Sequence, residues 1–155
     1  MSYILVFQVK PNVESLNPTN QLSCVIGQDT QLTWKFTGIE KPHVSWLFNE
    51  QTLQKNDRFQ VTESNDGTST LSIRNANFVD SGIYTARATN SVGEAEAKTT
   101  LSVVGIKPVI KIDLNEQLKV VKGERVILNL VAFGTPKPEI VWMKGYSQVT
   151  SNNRI

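Results

Sequence analysis

The sequence predicts an all-β sandwich, repeated in tandem and built without disulfides. Three observations carry that expectation. Short runs with apolar residues at every second position recur along the chain, divided by Gly, Pro, Asn and Asp turn signals, and no stretch has a helical period. The stretch Asp80 to Gly93, DSGIYTARATNSVG, sets Asp80, Gly82 and Tyr84 at alternate positions ahead of Ala86 and Ala88. An internal repeat spans the chain at an offset of 96 residues, a period of one sandwich domain and too long for a helical solenoid.

The repeat is read from paired positions. Gln21-Leu22 matches Gln117-Leu118, Gly27 matches Gly123, and Trp34 falls opposite Leu130. Lys41-Pro42 matches Lys137-Pro138, Trp46 matches Trp142, and Arg58 matches Arg154. Lys10-Pro11 matches Lys107-Pro108 with one extra residue. The expected organisation is a lead-in or the end of a preceding repeat over 1–10, a complete domain over 11–104, a short linker over 105–108 and the first half of a second domain over 109–155.

Each strand of the complete repeat has its own signal. Val13–Leu16 and Leu22–Val25 read as two pieces of the first strand, broken by Asn17-Pro18, and Gly27 turns the chain. Leu32, Trp34 and Phe36 alternate with polar residues and should face inward, as should Val44 and Trp46. Phe59 and Val61 mark the next strand, and Asn65-Asp66-Gly67 a hairpin turn that tolerates positive φ. Leu71 and Ile73 face inward, followed by Tyr84, Ala86 and Ala88, the turn Asn90–Gly93, and a last strand over Ala95–Val103. Glu94, Glu96 and Lys98 alternate outward on that strand as a solvated face. In the second repeat Val126, Leu128, Leu130, Ile140 and Trp142 lack counterparts of the strands that would cover them, so 107–155 is expected not to fold alone.

Composition narrows the classes. At 155 residues, 39% hydrophobic and 19% charged, the chain reads as globular. A net charge of +2 with neither sign clustered points to neither nucleic acid nor an anionic membrane. No apolar run approaches the ~20 residues of a membrane helix. The opening MSYILVFQVK lacks a basic leader and a small-residue cleavage site, so Tyr3–Phe7 reads as a strand rather than a secretion signal. The single cysteine, Cys24, allows no intrachain disulfide, and no Asn-x-Ser/Thr acceptor occurs, since Asn17 precedes Pro18 and none of the other twelve asparagines fits. Both point to a cytoplasmic location.

At these residues the chain resembles the intermediate-set immunoglobulin-like domains of the giant muscle proteins of the titin, twitchin and projectin kind. The Asp80-Gly82-Tyr84 corner is similar to the tyrosine corner of that fold, in which the hydroxyl returns to upstream backbone. The Asn90–Gly93 turn and the run Gly134-Thr-Pro-Lys-Pro138-Glu-Ile-Val-Trp142 are similar to motifs of the same group. The resemblance places Trp34 and Ala86 at the two cysteine positions, with Leu130 at the first of them in the second repeat. It implies that bulky Trp34 faces small Ala86 in the core, with Trp46 beside them, and that Arg58 pairs with Asp80 to close one end of the sandwich.

No catalytic, cofactor-binding or metal site is expected. His43 is the only histidine and sits at the mouth of a strand with no partner residues in the pattern. Cys24 reads as a small half-buried hydrophobe. No phosphate-cradling glycine loop, hydrolase elbow or metal-spaced cluster is present. The named structural residues are Trp34, Trp46, Arg58, Asp80, Gly82, Tyr84, Ala86, Leu130 and Trp142. The implied function is a structural, protein-binding segment of a cytoplasmic sarcomeric or cytoskeletal scaffold, without nucleic acid, membrane or small-molecule substrate. Its partners would be filament proteins and neighbouring domains. A cell-surface adhesion or receptor ectodomain is one alternative, and a non-catalytic flank of a muscle protein kinase is another.

Overall fold

The computed structural model describes residues 7–14, 20–112, 114–115 and 117–151. The expected strand over Tyr3–Phe7 falls almost wholly outside them, as do the Asn17-Pro18 break and Arg154. The chain divides into two compact units, Met1–Val104 and Gly105–Ile155.

The first unit is a sandwich of two sheets, as the alternation requires. Its strands are β1 (Val9–Glu14), β2 (Gln21–Val25), β3 (Thr30–Ile39), β4 (His43–Phe48), β5 (Gln51–Thr52), β6 (Phe59–Glu63), β7 (Thr68–Ile73), β8 (Gly82–Asn90) and β9 (Gly93–Val104). One sheet runs β1-β3-β7-β6 and the other β2-β9-β8-β4-β5. Inward positions alternate as predicted: Leu32, Trp34 and Phe36 on β3, Val44 and Trp46 on β4, Leu71 and Ile73 on β7, and Tyr84, Ala86 and Ala88 on β8 form one buried cluster. No disulfide is present; Cys24 is a free thiol.

The two pieces read as one first strand lie in opposite sheets. β1 pairs antiparallel with the far half of β3, whereas β2 pairs parallel with β9 from Gln21↔Thr100 to Val25↔Val104. The sandwich thereby gains cover on both layers from one short stretch of chain. Two elements carried no sequence signal, the two-residue strand β5 and a single 3-10 turn at Phe78–Asp80. The hairpin at Asp66-Gly67 forms as predicted. Gly67 has φ +89°, and a Cβ there would stand 2.1 Å from the carbonyl oxygen of Phe36, so only glycine fits.

The second unit comprises β10 (Ile106–Ile112), β11 (Val131–Thr135), β12 (Met143–Lys144) and β13 (Ser147–Gln148). Only Gly105 separates β10 from β9, so the stretch read as a linker is in part strand. The unit copies local features of the first at the 96-residue offset. Met143↔Gln148 and Lys144↔Ser147 repeat Leu47↔Thr52 and Phe48↔Gln51. The bond from Val149 N to Trp142 O (2.8 Å) repeats that from Leu53 N to Trp46 O (2.9 Å). The pair Ile106↔Thr135 repeats Val9↔Ile39, with the one extra residue falling on the β10 side.

The likeness does not extend to the whole of β3. In the first unit Thr30–Lys35 pairs with β7, and the remainder of β3 with β1. In the second, the stretch equivalent to Lys35–Ile39 is β11, while 124–130 forms no strand. A strand half without a neighbour has no ladder to satisfy its backbone. Val126, Leu128, Ile140 and Trp142 are accordingly exposed, and Leu130 half-buried.

Candidate functional site

Tyr84 occupies the centre of the first unit's closed end. It is fully buried on β8, and its hydroxyl donates to the carbonyl oxygen of Asp80 at 2.9 Å. Its ring lies 4.8 Å from that of Phe48, the residue opposite it on β4. Burial, then the nearby Asp80 charge, pushes the phenol well above its ordinary pKa of 10.0. Gly82 makes room for this packing: a Cβ would meet Phe48 Cε2 at 2.6 Å and Asn49 Oδ1 at 2.7 Å.

Asp80 is 4% exposed and ends the 3-10 turn. Its Oδ2 accepts from Asn77 N at 2.7 Å, while Asn77 Oδ1 accepts from Phe78 N at 2.7 Å, a capping box. The same Oδ2 forms an ion pair with Arg58 Nη2. Arg58 also donates from Nε to Arg74 O at 3.2 Å and from Nη2 to Asn75 O at 3.3 Å, and its guanidinium stands 5.2 Å from the Phe59 ring centre. One guanidinium thus ties β6, the β7 exit and the corner together.

Trp34 and Ala86 belong to the same core cluster but to opposite sheets. Ala86 lies opposite Trp46 on β4. The two indoles then cross the sandwich in reciprocal directions. Trp34 Nε1, from the β3 sheet, donates to Thr99 Oγ1 on β9 at 3.0 Å. Trp46 Nε1, from the β4 sheet, donates to Ser69 Oγ on β7 at 3.0 Å. Both hydroxyls are buried. Thr99 and Ser69 escaped the sequence reading, although each sits at an inward position of its strand. That parity was the signal, since a buried indole N–H needs an acceptor.

At the opposite end, the Asn90–Gly93 turn grips two neighbouring segments. Asn90 Nδ2 donates to Val9 O (2.8 Å) and Glu40 O (3.0 Å), and Ser91 Oγ donates to Glu40 Oε2 at 2.6 Å. On the outer face of β8 and β9, Glu96 pairs with Arg87 at 2.7 Å and with Lys98 at 3.8 Å.

His43 is exposed at the start of β4. Cys24 is half-buried, and burial followed by Asp80 raises its thiol pKa. Among the described residues no group of three or more His, Cys, Asp or Glu could hold a metal ion, and no helix is long and apolar enough to cross a membrane. An open groove of about 560 Å³ on the outer face of the β3 sheet is lined by Asp29, Thr30, Gln31, Gln60, Ser72 and Arg74. Leu130 and Trp142 lie in the second unit.

A sandwich with a tyrosine corner, a β2–β9 parallel pair and a Trp core defines an immunoglobulin-like domain. Residues 13–103 match the Immunoglobulin I-set domain, and the chain belongs to that family. It is similar to mouse (Mus musculus) hemicentin-1, 32% identical over 92% of this chain and 2% of that protein. It is likewise similar to the muscle M-line assembly protein unc-89 of Caenorhabditis elegans, 28% identical over 83% of this chain and 2% of that protein. The chain therefore spans a small fraction of the relatives it matches. A structure of titin domains I67–I69 matches with a TM-score of 0.61 and 26% identity, covering 94% of this chain and 50% of that one. Titin domains Z1Z2 in complex with telethonin match at 30% identity and a TM-score of 0.57, over 63% of this chain and 48% of that one. Relatives thus include muscle proteins and cell-surface proteins.

Proposed function

We propose that the chain is a structural, protein-binding segment of a long intracellular scaffold of the sarcomeric type, made of such domains in tandem. The observation that supports this best is the core: the positions of the family's inter-sheet disulfide are held by Trp34 and Ala86, and indole–hydroxyl bonds link the sheets instead. Such a core needs no oxidising compartment. The nine named residues act structurally in this reading, with Tyr84, Asp80, Arg58 and Gly82 closing one end of the sandwich and Leu130 and Trp142 at the counterparts of Trp34 and Trp46 in the second unit.

Each complete domain contributes a fixed length. β2 and β9 run parallel over five residue pairs, so tension between the two ends of the domain loads those bonds together rather than in sequence. Open sheet edges and loops would serve as docking surfaces for other filament proteins; the similar titin Z1Z2 domains form a complex with telethonin. A cell-surface adhesion role is the second reading, favoured by the likeness to hemicentin-1. Immunolocalisation in the source tissue tests the proposal. Striated, filament-associated labelling is expected, and labelling confined to the plasma membrane or matrix would overturn it in favour of the second reading.

A further inference from the structure

In the complete first unit, β6 is an edge strand that pairs with β7 alone. Along an antiparallel ladder, successive residues turn their backbone groups to opposite sides. Arg74 N donates to Arg58 O at 2.9 Å, and Ser64 N donates to Thr68 O at 2.8 Å. Gln60 and Thr62 therefore also face β7 with their backbone groups, and Phe59, Val61 and Glu63 turn theirs to the free edge. Phe59 is already satisfied there: its N donates to Asn56 Oδ1 at 3.0 Å, and its O accepts from Asn56 N at 3.0 Å. Val61 and Glu63 have no such partner among the described residues, so the N–H and C=O of both stand open. The other edge of this sheet, β1, is blunted by Lys10, Pro11 and a register shift between Val9 and Asn12. Phe59–Glu63 has no Lys, no Pro and no shift in register against β7.

We infer that β6 is a self-association edge, which pairs antiparallel with β6 of a second copy of this chain about a two-fold axis at Thr62. That register sets Val61 of each copy opposite Glu63 of the other, and every open group of both residues finds a partner. An axis at Val61 would bring Glu63 to Phe59, whose groups are taken. An axis at Glu63 would set like charges directly opposite. The open groups are thus self-complementary in one register, which is the argument for a second copy as the occupant. The outer face of the sheet agrees. Thr33, Thr70 and Thr62 form one row across β3, β7 and β6, with Thr33 Oγ1 and Thr70 Oγ1 3.0 Å apart. The axis continues that row, because Thr62 of one copy faces Thr62 of the other in a non-hydrogen-bonded pair, where side chains come closest. Gln60 faces Ser64, so no like charges meet. The edge depends neither on the second unit nor on the sarcomeric location.

The test uses the full chain. Sedimentation should show a reversible monomer–dimer equilibrium as concentration rises to about 1 mM, and amide exchange at Val61 and Glu63 should slow by at least about twofold over the same range. Glu63→Pro removes one edge N–H and no bond to β7, so it should abolish the dimer while β7 and β8 keep their exchange protection. A cross-link reads the register. In a Cys24→Ser background, Thr62→Cys should give a disulfide-linked dimer on mild oxidation at least about tenfold faster than Gln60→Cys, whose two copies lie about 13 Å apart along the strands. A chain that stays monomeric up to about 1 mM would overturn the inference. So would a dimer that leaves exchange at Val61 and Glu63 unchanged, a dimer that survives Glu63→Pro, or equal cross-linking at positions 60 and 62.

Discussion

Trp34 does at one residue what a disulfide does in related sandwiches: it fills the space between the sheets and ties one to the other. Truncating it removes a large buried side chain and leaves Thr99 without its donor, so Trp34→Ala should cost about 3–5 kcal/mol in urea unfolding. Trp34→Phe keeps most of the volume and loses the bond, and should cost about 1–2 kcal/mol; Thr99→Val in the same background should add little. Asp80 is the second sensitive residue. Asp80→Ala strands Arg58 and the Asn77 N–H, a loss of about 2 kcal/mol, smaller than for a fully enclosed pair because Arg58 remains 40% exposed. Tyr84 brings a pH dependence. Its folded pKa lies above the unfolded value near 10, so its contribution is complete below pH ~10 and is lost as the unfolded chain ionises above it. Tyr84→Phe should weaken the protein at neutral pH by about 1 kcal/mol, yet flatten its loss of stability above pH ~10.

Among the elements, what the sequence made legible follows from parity. Period-two burial is written into Leu32-Trp34-Phe36, Leu71-Ile73 and Tyr84-Ala86-Ala88, and so were the strands and their inward faces. The corner was legible because Gly82 and Tyr84 are residue types that few other sites demand. The partition of the first strand between two sheets was not, because Val13 and Leu22 give the same inward signal whichever sheet they cover. β5 was missed since its turn uses Asn49 and Glu50 at φ 46° and 69°, and Glu is a rare choice there. The Asn90 grip was missed as well: its acceptors Val9 and Glu40 are 81 and 50 residues away and are backbone atoms that carry no sequence identity. Asn90→Ala should release that end, raising hydrogen exchange of β1 and the 39–43 loop while leaving β7 and β8 protected.

At the scale of the whole molecule, the two units share local pairing and differ in burial. The same sequence signals at the same spacing give the same backbone pairs in both, up to the point where a strand needs a neighbour that is absent among the described residues. Trp46 is 3% exposed and its counterpart Trp142 is 36% exposed, so the same pattern is buried in one unit and open in the other. The most direct measurement compares urea unfolding of three chains: the whole protein, residues 1–104 and residues 107–155. Residues 1–104 should unfold in one cooperative transition with the midpoint of the whole protein, and 107–155 should show none. A cooperative, monomeric transition in 107–155 would contradict the account.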